Sequence, residues 1–452
     1  MSLVTKKIIP GYNPSLMQKA NKRTTIWRKP WIYLGILAAG ILLALALYQI
    51  PWVHDRAYYR LASIRSKIYY FFNPPTDTVF VPVGNQAPTQ VVAVFTPTPV
   101  PMATSTPKPT ATLLTPPTPT IAPTPLPEAV MLGKIDLEAQ LMNNCGPATV
   151  SMNLSYWGWQ GYQDEIQKVI KPRLEDVSVM PSELLTYIEE HTEFKMVIRR
   201  AGELETLKTL VAQGIPVIVE RGYFVYSAFK ENDGWMGHFG VINGYNDSTQ
   251  TVHIPDSWSG VVDLDYATLL QFWDEFNNTY MIIYPPEREA EVMALLGPDA
   301  DLAVNQQHAL ARAEERLAST TGKPQFFAAY SKGIVLNELG RYAEAAEAFD
   351  LAFKLYADIT PLERPWRMIW YETGPYESYY QTGRYQDVMN LADKTLSDTS
   401  SKGIPETYLW RGRANLQLGN QSTAIFDFKR ALQWHPNWSV ALEELKALGL
   451  EP

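Results

Sequence analysis

Cysteine is all but missing from this chain: its 452 residues contain one, Cys145. A single thiol excludes an internal disulfide and a cysteine-rich metal site, so it is either an inert filler or a nucleophile. Basic excess is missing too. The net charge of −8 leaves no cationic stripe to neutralise phosphates, which argues against a nucleic-acid partner. No G-x-x-x-x-G-K-[ST] phosphate loop occurs, and the six histidines, His54, His191, His238, His253, His308 and His435, show no H-E-x-x-H spacing. Neither a metal nor another cofactor is therefore expected.

The residues that are present fall into blocks. Residues 1–29 hold Lys6, Lys7, Lys19, Lys22, Arg23, Arg28 and Lys29 without one acidic side chain, and 30–53 carries no charge at all. As a helix the second block would reach about 36 Å, enough to cross a bilayer core of ~30 Å. Trp27, Trp31, Tyr33, Tyr48 and Trp52 lie near its ends as an interfacial aromatic belt would. The basic tail predicts a cytoplasmic N-terminus, with everything downstream outside the cell membrane. A cleaved signal peptide is the competing reading, with Ala44-Leu45-Ala46 as its processing site. Residues 54–95 are membrane-proximal, and 54–72 mixes aromatic and basic side chains as an interfacial helix does. From 96 to 127 the composition falls to Thr and Pro, which builds no core and favours extended polyproline II. This is a stalk, able to hold the next domain up to roughly 100 Å from the membrane at ~3.1 Å per residue.

A folded domain is expected over 128–290. Gly146 and Pro147 break the chain just before a run of good helix residues, and Pro is favoured in a helix's first turn, which puts Cys145 at a helix N-terminus. There the unpaired N–H groups and the macrodipole favour the thiolate. Helices over 164–170, 181–191, 204–212 and 266–276 alternate with strands over 194–199, 215–220, 239–245, 251–255 and 279–284. Helices first and an antiparallel sheet after them describe an α+β domain. His238 opens one strand and Asp256 ends the next, with the turn Asn246-Asp247-Ser248 between. Such a hairpin can place imidazole beside carboxylate, so that the ring takes the thiol proton and the carboxylate holds its other nitrogen. His253, three residues before Asp256, is the alternative base.

The strings N-N-C-G-P-A-T-V-S-M-N-L-S-Y-W-G, G-H-F-G-V-I-N-G-Y and P-D-S-W resemble the papain-like cysteine peptidases of family 39. That family includes double-glycine leader peptidases fused to exporters and stand-alone relatives. The resemblance spans about 137–285 and implies Cys145 as nucleophile, His238 as general base and later acid, and Asp256 as the orienting residue. It also implies that Gln140 and the backbone N–H of Cys145 form the oxyanion hole. Gln140 stands five positions before the cysteine where papain-like enzymes commonly have six, and Asn144 stands where exporter-linked members often carry an acid. With no phosphate loop and one span, the chain is not an exporter, and cleavage after a double glycine does not carry over.

Over 300–450 a helical pattern recurs three times, its turns marked by Gly340, Gly383 and Gly419 at separations of 43 and 36. These bracket the 34-residue tetratricopeptide period, and the closing Pro436 fits it. Stacked helix pairs usually bind a peptide or protein partner. The sequence thus describes an anchored, outward-facing cysteine peptidase with peptide or protein substrates, a lipid bilayer around its first helix and a solenoid for a protein partner. A non-catalytic surface scaffold, or acyl transfer to an amine by the same residues, remains the alternative.

Overall fold

In the computed structural model, residues 30–74, 78–84, 125–227 and 230–451 are described. The basic tail and nearly all of the Thr/Pro stretch lie outside them. The chain forms two units, divided between Tyr69 and Tyr70. The first holds helix α1 (Pro30–Tyr48) and most of α2 (Pro51–Phe72). α1 has 19 residues with no charge among them. At about 1.5 Å per residue it reaches about 28 Å, so by length and composition it could cross a membrane or serve as a signal sequence. The apolar block is thus not one helix through Val53. Pro51 has no N–H and disfavours helical geometry at Ile50, and the chain breaks between Tyr48 and Pro51 before winding again over the expected interfacial segment.

The second unit begins its N-terminal half with β1 (Ala129–Met131), α3 (Cys145–Tyr156), α4 (Gln163–Ile170), α5 (Pro181–His191), β2 (Lys195–Arg199) and α6 (Leu204–Ala212). Next come β3 (Val217–Ser227), β4 (Lys230–Ile242), β5 (Gly244–Asn246), β6 (Thr251–Asp256), β7 (Gly260–Asp265), α7 (Tyr266–Trp273), β8 (Tyr280–Tyr284) and α8 (Glu289–Leu296). Two antiparallel sheets result, ordered β2-β8-β3-β4 and β1-β5-β6-β7. β8 is buried along its whole length, as a central strand covered on both faces must be. Met281 and Ile283 pack with Val150, Leu154, Leu184 and Ile188 of α3 and α5, while Tyr280, Ile282 and Tyr284 face Leu207, Leu210, Leu269 and Trp273 of α6 and α7. This is the α+β arrangement the pattern called for. β3 and β4 run much further than the apolar runs suggested, and β7 was not foreseen.

The C-terminal half is helical: α9 (Leu302–Ser319), α10 (Lys323–Glu338), α11 (Tyr342–Asp358), α12 (Met368–Tyr371), α13 (Gly374–Gln381), α14 (Tyr385–Asp398), α15 (Pro405–Gln417), α16 (Gln421–Trp434) and α17 (Ser439–Ala447). The pairs α10–α11, α13–α14 and α15–α16 are the repeats. Gly340, Gly383 and Gly419 turn between the helices of each pair at φ of +70°, +75° and +82°, a conformation that costs any other L residue energy. The long first interval is explained by an insert, 359–373, which carries α12. That insert reaches the sheet-bearing half. Tyr371 packs on Trp235 and Phe276 in one core with Phe326, Phe327 and Tyr330, so sheet and solenoid share their apolar interior. Gly222 and Gly237 face each other in the β3–β4 ladder and make room for this docking. A Cβ at Gly222 would come within 1.6 Å of Glu275 Oε2, and one at Gly237 within 2.8 Å of the Phe276 ring.

Candidate active site

Cys145 is the first residue of α3 and is half-buried. The loop before it is pinned from inside. Gln163 Oε1 accepts from the Leu141 N–H (2.8 Å) and from Asn144 Nδ2 (2.7 Å), while its Nε2 donates to Glu138 Oε1 and the Ala139 carbonyl. Thr149 Oγ1, one turn into α3, donates to the Phe239 carbonyl (3.3 Å) and ties the helix to β4 beside His238. The sulfur and the imidazole are thereby close enough for each to shift the other's proton affinity.

Asp256 arrives from the other sheet. The chain leaves the first sheet at Asn243, enters the second as β5, and returns along β6, whose last residue is Asp256. His238 Nε2 lies 2.9 Å from Asp256 Oδ2, with both side chains buried. Because the carboxylate is held far below the usual range, Nε2 carries the hydrogen that it accepts, and Nδ1 is left for the thiol. Burial alone would raise the Asp256 carboxyl. The hydrogen bond and charge of His238, the Ser259 N–H and the Arg221 guanidinium outweigh it. Oδ1 accepts from the backbone N–H groups of Trp258 and Ser259, both at 2.8 Å. Arg221 stands opposite His238 in the β3–β4 register, so both side chains project to one face and both reach Oδ2, Arg221 at 3.1 Å.

The charges in this group reinforce one another. Burial pushes the Cys145 thiol up, but the hydrogen bond and positive charge of His238, then the Lys171 ammonium, bring it below its ordinary value. Burial pushes His238 down, and the hydrogen bonds of Asp256 and Cys145 raise it to about 9. Between those limits the pair is thiolate and imidazolium. Lys171 is fully buried, its Nζ donating to the Asn143 and Asp176 carbonyls at 2.6 and 2.7 Å, so its charge sits behind the cysteine loop.

Gln140 joins the same group. Its backbone N–H donates to the Ser257 carbonyl (2.9 Å), and its Oε1 accepts from Ser257 Oγ (2.9 Å). With Oε1 engaged, the amide Nε2 is the free end. The first N–H groups of α3 have no intrahelical acceptor. His253 is elsewhere: its Nδ1 lies 2.7 Å from Asp263 Oδ1, across β6 and β7, and it takes no part. Among the described residues no three His, Cys, Asp or Glu side chains gather as a metal ion would require. Sequence reasoning missed Arg221, Lys171 and Gln163. Arg221 lies in a run, 217–222, that is buried on both faces, so no alternation marked it and only its place opposite His238 in the ladder reveals its role; Lys171 and Gln163 left no signal either.

The comparisons with known proteins agree with this architecture. Residues 133–281 match the peptidase C39-like family, and 405–437 match a tetratricopeptide repeat. A crystal structure of a putative C39-like peptidase from Bacillus anthracis is 16% identical, covering 35% of this chain and 98% of its own, with a TM-score of 0.28. Xylellain, a cysteine protease from Xylella fastidiosa, is 12% identical over 35% of this chain and 86% of its own, also at a TM-score of 0.28. A double-glycine-motif protease from an AMS/PCAT transporter, in complex with the leader peptide, is 18% identical over 34% and 92%, at a TM-score of 0.25. No curated protein matches the chain. The chain therefore carries a C39-like peptidase domain at 133–281, followed by a helical region that includes a tetratricopeptide repeat.

Proposed function

We propose that the chain is a cysteine peptidase that hydrolyses peptide bonds with Cys145 as nucleophile. The observation that carries this reading is the buried His238–Asp256 pair at 2.9 Å, drawn from two sheets and set beside Cys145 at the start of α3, and the mutual lowering of the thiol and raising of the imidazole supports it. The Cys145 thiolate attacks a peptide carbonyl, and the oxyanion forms against the backbone N–H of Cys145 and Gln140 Nε2. His238, protonated through Nδ1, gives its proton to the leaving amine. It then takes one from water as the acyl-enzyme is hydrolysed. Asp256 keeps the ring oriented, and Arg221 keeps Asp256 ionised. Further, the chain is anchored by α1, with the catalytic body outside the cytoplasm and peptides or proteins as substrates.

The test is alkylation by iodoacetamide near neutral pH. Cys145 reacts faster than a free thiol in the wild type, and His238→Ala brings the rate back to the free-thiol value. A wild-type rate no higher than that of a free thiol, unchanged in His238→Ala, defeats the proposal and leaves a scaffold. For the anchor, alkaline extraction of membranes leaves the full chain in the pellet. Its appearance in the supernatant, starting at a residue after α1, would instead mean a cleaved signal.

A further inference from the structure

The repeat helices are already holding a peptide. Residues 78–84, T-V-F-V-P-V-G, form neither helix nor strand and lie against the first two repeat pairs. Phe80 is 8% exposed and enters between the pairs, its ring 4.8 Å from Phe353 at 81° and 6.3 Å from Tyr379. A residual cavity of about 50 Å³ remains beside it, lined by Phe326, Tyr330, Tyr356, Met368 and Leu391 among others. Val81 and Val83 point outward, at 68% and 47% exposure. Phe80 is therefore the one fully buried side chain of the segment, with Val79 and Pro82 half-buried beside it.

The backbone reader is Asp387 on α14. The Val83 N–H donates to its Oδ1 at 2.7 Å and the Gly84 N–H to its Oδ2 at 3.3 Å, so one carboxylate takes two consecutive amides. That carboxylate is 2% exposed and is held in place by Arg384, whose Nε donates to Oδ2 at 2.8 Å. Arg384 in turn grips Asp350 through two bonds of 2.8 Å, and Tyr379 Oη donates to the same Asp350 at 2.9 Å. An ionic chain from two repeat pairs, buried at Arg384 and Asp387, thus ends on the amides of the docked segment. Just upstream, Tyr70 adds a foothold: its hydroxyl accepts from the Ser400 N–H at 3.2 Å, and its ring meets Trp366 edge-on at 5.3 Å.

Downstream of the Thr/Pro tract the chain is fixed to the same body. Tyr245 Oη donates to the Pro127 carbonyl, the Asp247 N–H donates to the Glu128 carbonyl, and β1 then pairs with β5. We propose that the groove between the first two repeat pairs is an extended-peptide site whose resident partner is residues 78–84 of the same chain. The body thereby grips residues 78–84 of its own chain directly. Held in cis, the segment competes at the high effective concentration of a tethered ligand, and an outside peptide must displace it to use the groove.

The experiment uses the full chain in detergent, with an N-terminal affinity tag, Cys145→Ala to silence any self-cleavage, and a site-specific protease sequence placed within 85–124. After cutting, the body from residue 125 onward stays captured with the N-terminal piece, and Phe80→Asp lets it wash away. A synthetic peptide of residues 77–85 added to the cut wild type also releases it. Release from the cut wild type as fast as from Phe80→Asp overturns the proposal. Retention by both overturns it as well, since the hold would then lie outside this groove. Phe80 belongs to the docked segment, so its replacement leaves the helices that form the groove unchanged. Because Cys145 is absent throughout, neither result bears on whether the site cuts peptides.

Discussion

At the scale of residues, the catalytic group makes predictions about pH that follow from its charges. The thiol is lowered and the imidazole raised to about 9. Peptide hydrolysis needs both the thiolate and a proton on His238. Its rate therefore rises with pH on a limb below the ordinary thiol range and falls again near pH 9, where the imidazolium is lost. Alkylation needs only the thiolate and shows no such fall. Among the influences raising His238, the hydrogen bond to Asp256 is the largest. Asp256→Asn should move the alkaline limb of hydrolysis toward neutral pH, and a pH–rate profile of kcat/KM reads this directly. Gln140→Ala should lower kcat about 10²–10³-fold with little change in KM, the usual loss for one oxyanion donor; an unchanged kcat would remove Gln140 from the mechanism. His238 lies inside β4 and does not open it as the pattern suggested, but Cys145 at a helix start and Asp256 at a strand end were legible from sequence as local features. Arg221 was not, because its role depends on lying opposite His238 in a ladder whose register no local rule fixes.

Elements show the same division between local and distant causes. α5 was legible to the residue because its signals are its own: Pro181 begins it, and Glu183 Oε2 accepts from the Met180 N–H at 2.7 Å. The distal part of the β3–β4 hairpin was not legible. Its Trp235 is covered by Phe327 and Tyr371 from beyond the catalytic domain, so no periodicity within the domain announces a buried face. The opposite end of the interface carries a testable consequence. Asp176 and Glu183 of the catalytic half meet Glu406 and His435 of the last repeats around Lys171. Glu406 is buried with no partner for Oε2, and burial, then the charges of Asp176 and Glu183, hold its carboxyl well above the usual range. The folded state therefore keeps it neutral, while the unfolded chain ionises it near the ordinary value of about 4.3. Its contribution is most favourable below that value and is lost progressively as pH rises from there toward its folded value. Glu406→Gln fixes the neutral form. It should match the wild type near pH 4 and be the more stable of the two near pH 8. Urea unfolding at the two values measures the difference, and equal stability at both would show that Glu406 is ionised in the folded protein.

For the molecule as a whole, the helical half is less an appended arm than a wall of the catalytic body. Arg200, beside β2, donates to Glu338 at 2.9 Å and to Glu372 at 3.0 Å, the Val177 N–H donates to the Gly403 carbonyl at 3.0 Å, and Trp235 and Phe276 lie in one core with the repeat aromatics. The two blocks were legible separately in the sequence, each by its own period, but their union was not, since nothing in either period reports what the other covers. The union bears on the site. The ladder that presents His238 is the one whose Gly222 and Gly237 seat Glu275, Phe276 and Tyr371. Residues 128–290 expressed alone would expose Trp235 and Phe276, each a large aromatic surface whose burial is worth roughly 1.5–3 kcal/mol. Glu372 and Glu338 would no longer neutralise Arg200. Since a domain's total stability is only about 5–15 kcal/mol, this loss is a large share of it. The isolated segment should bind a hydrophobic dye, melt well below residues 125–451, and alkylate at the rate of a free thiol as His238 loses its seat. A monodisperse 128–290 fragment that melts with the longer one and keeps the fast alkylation would mean that the catalytic half stands by itself.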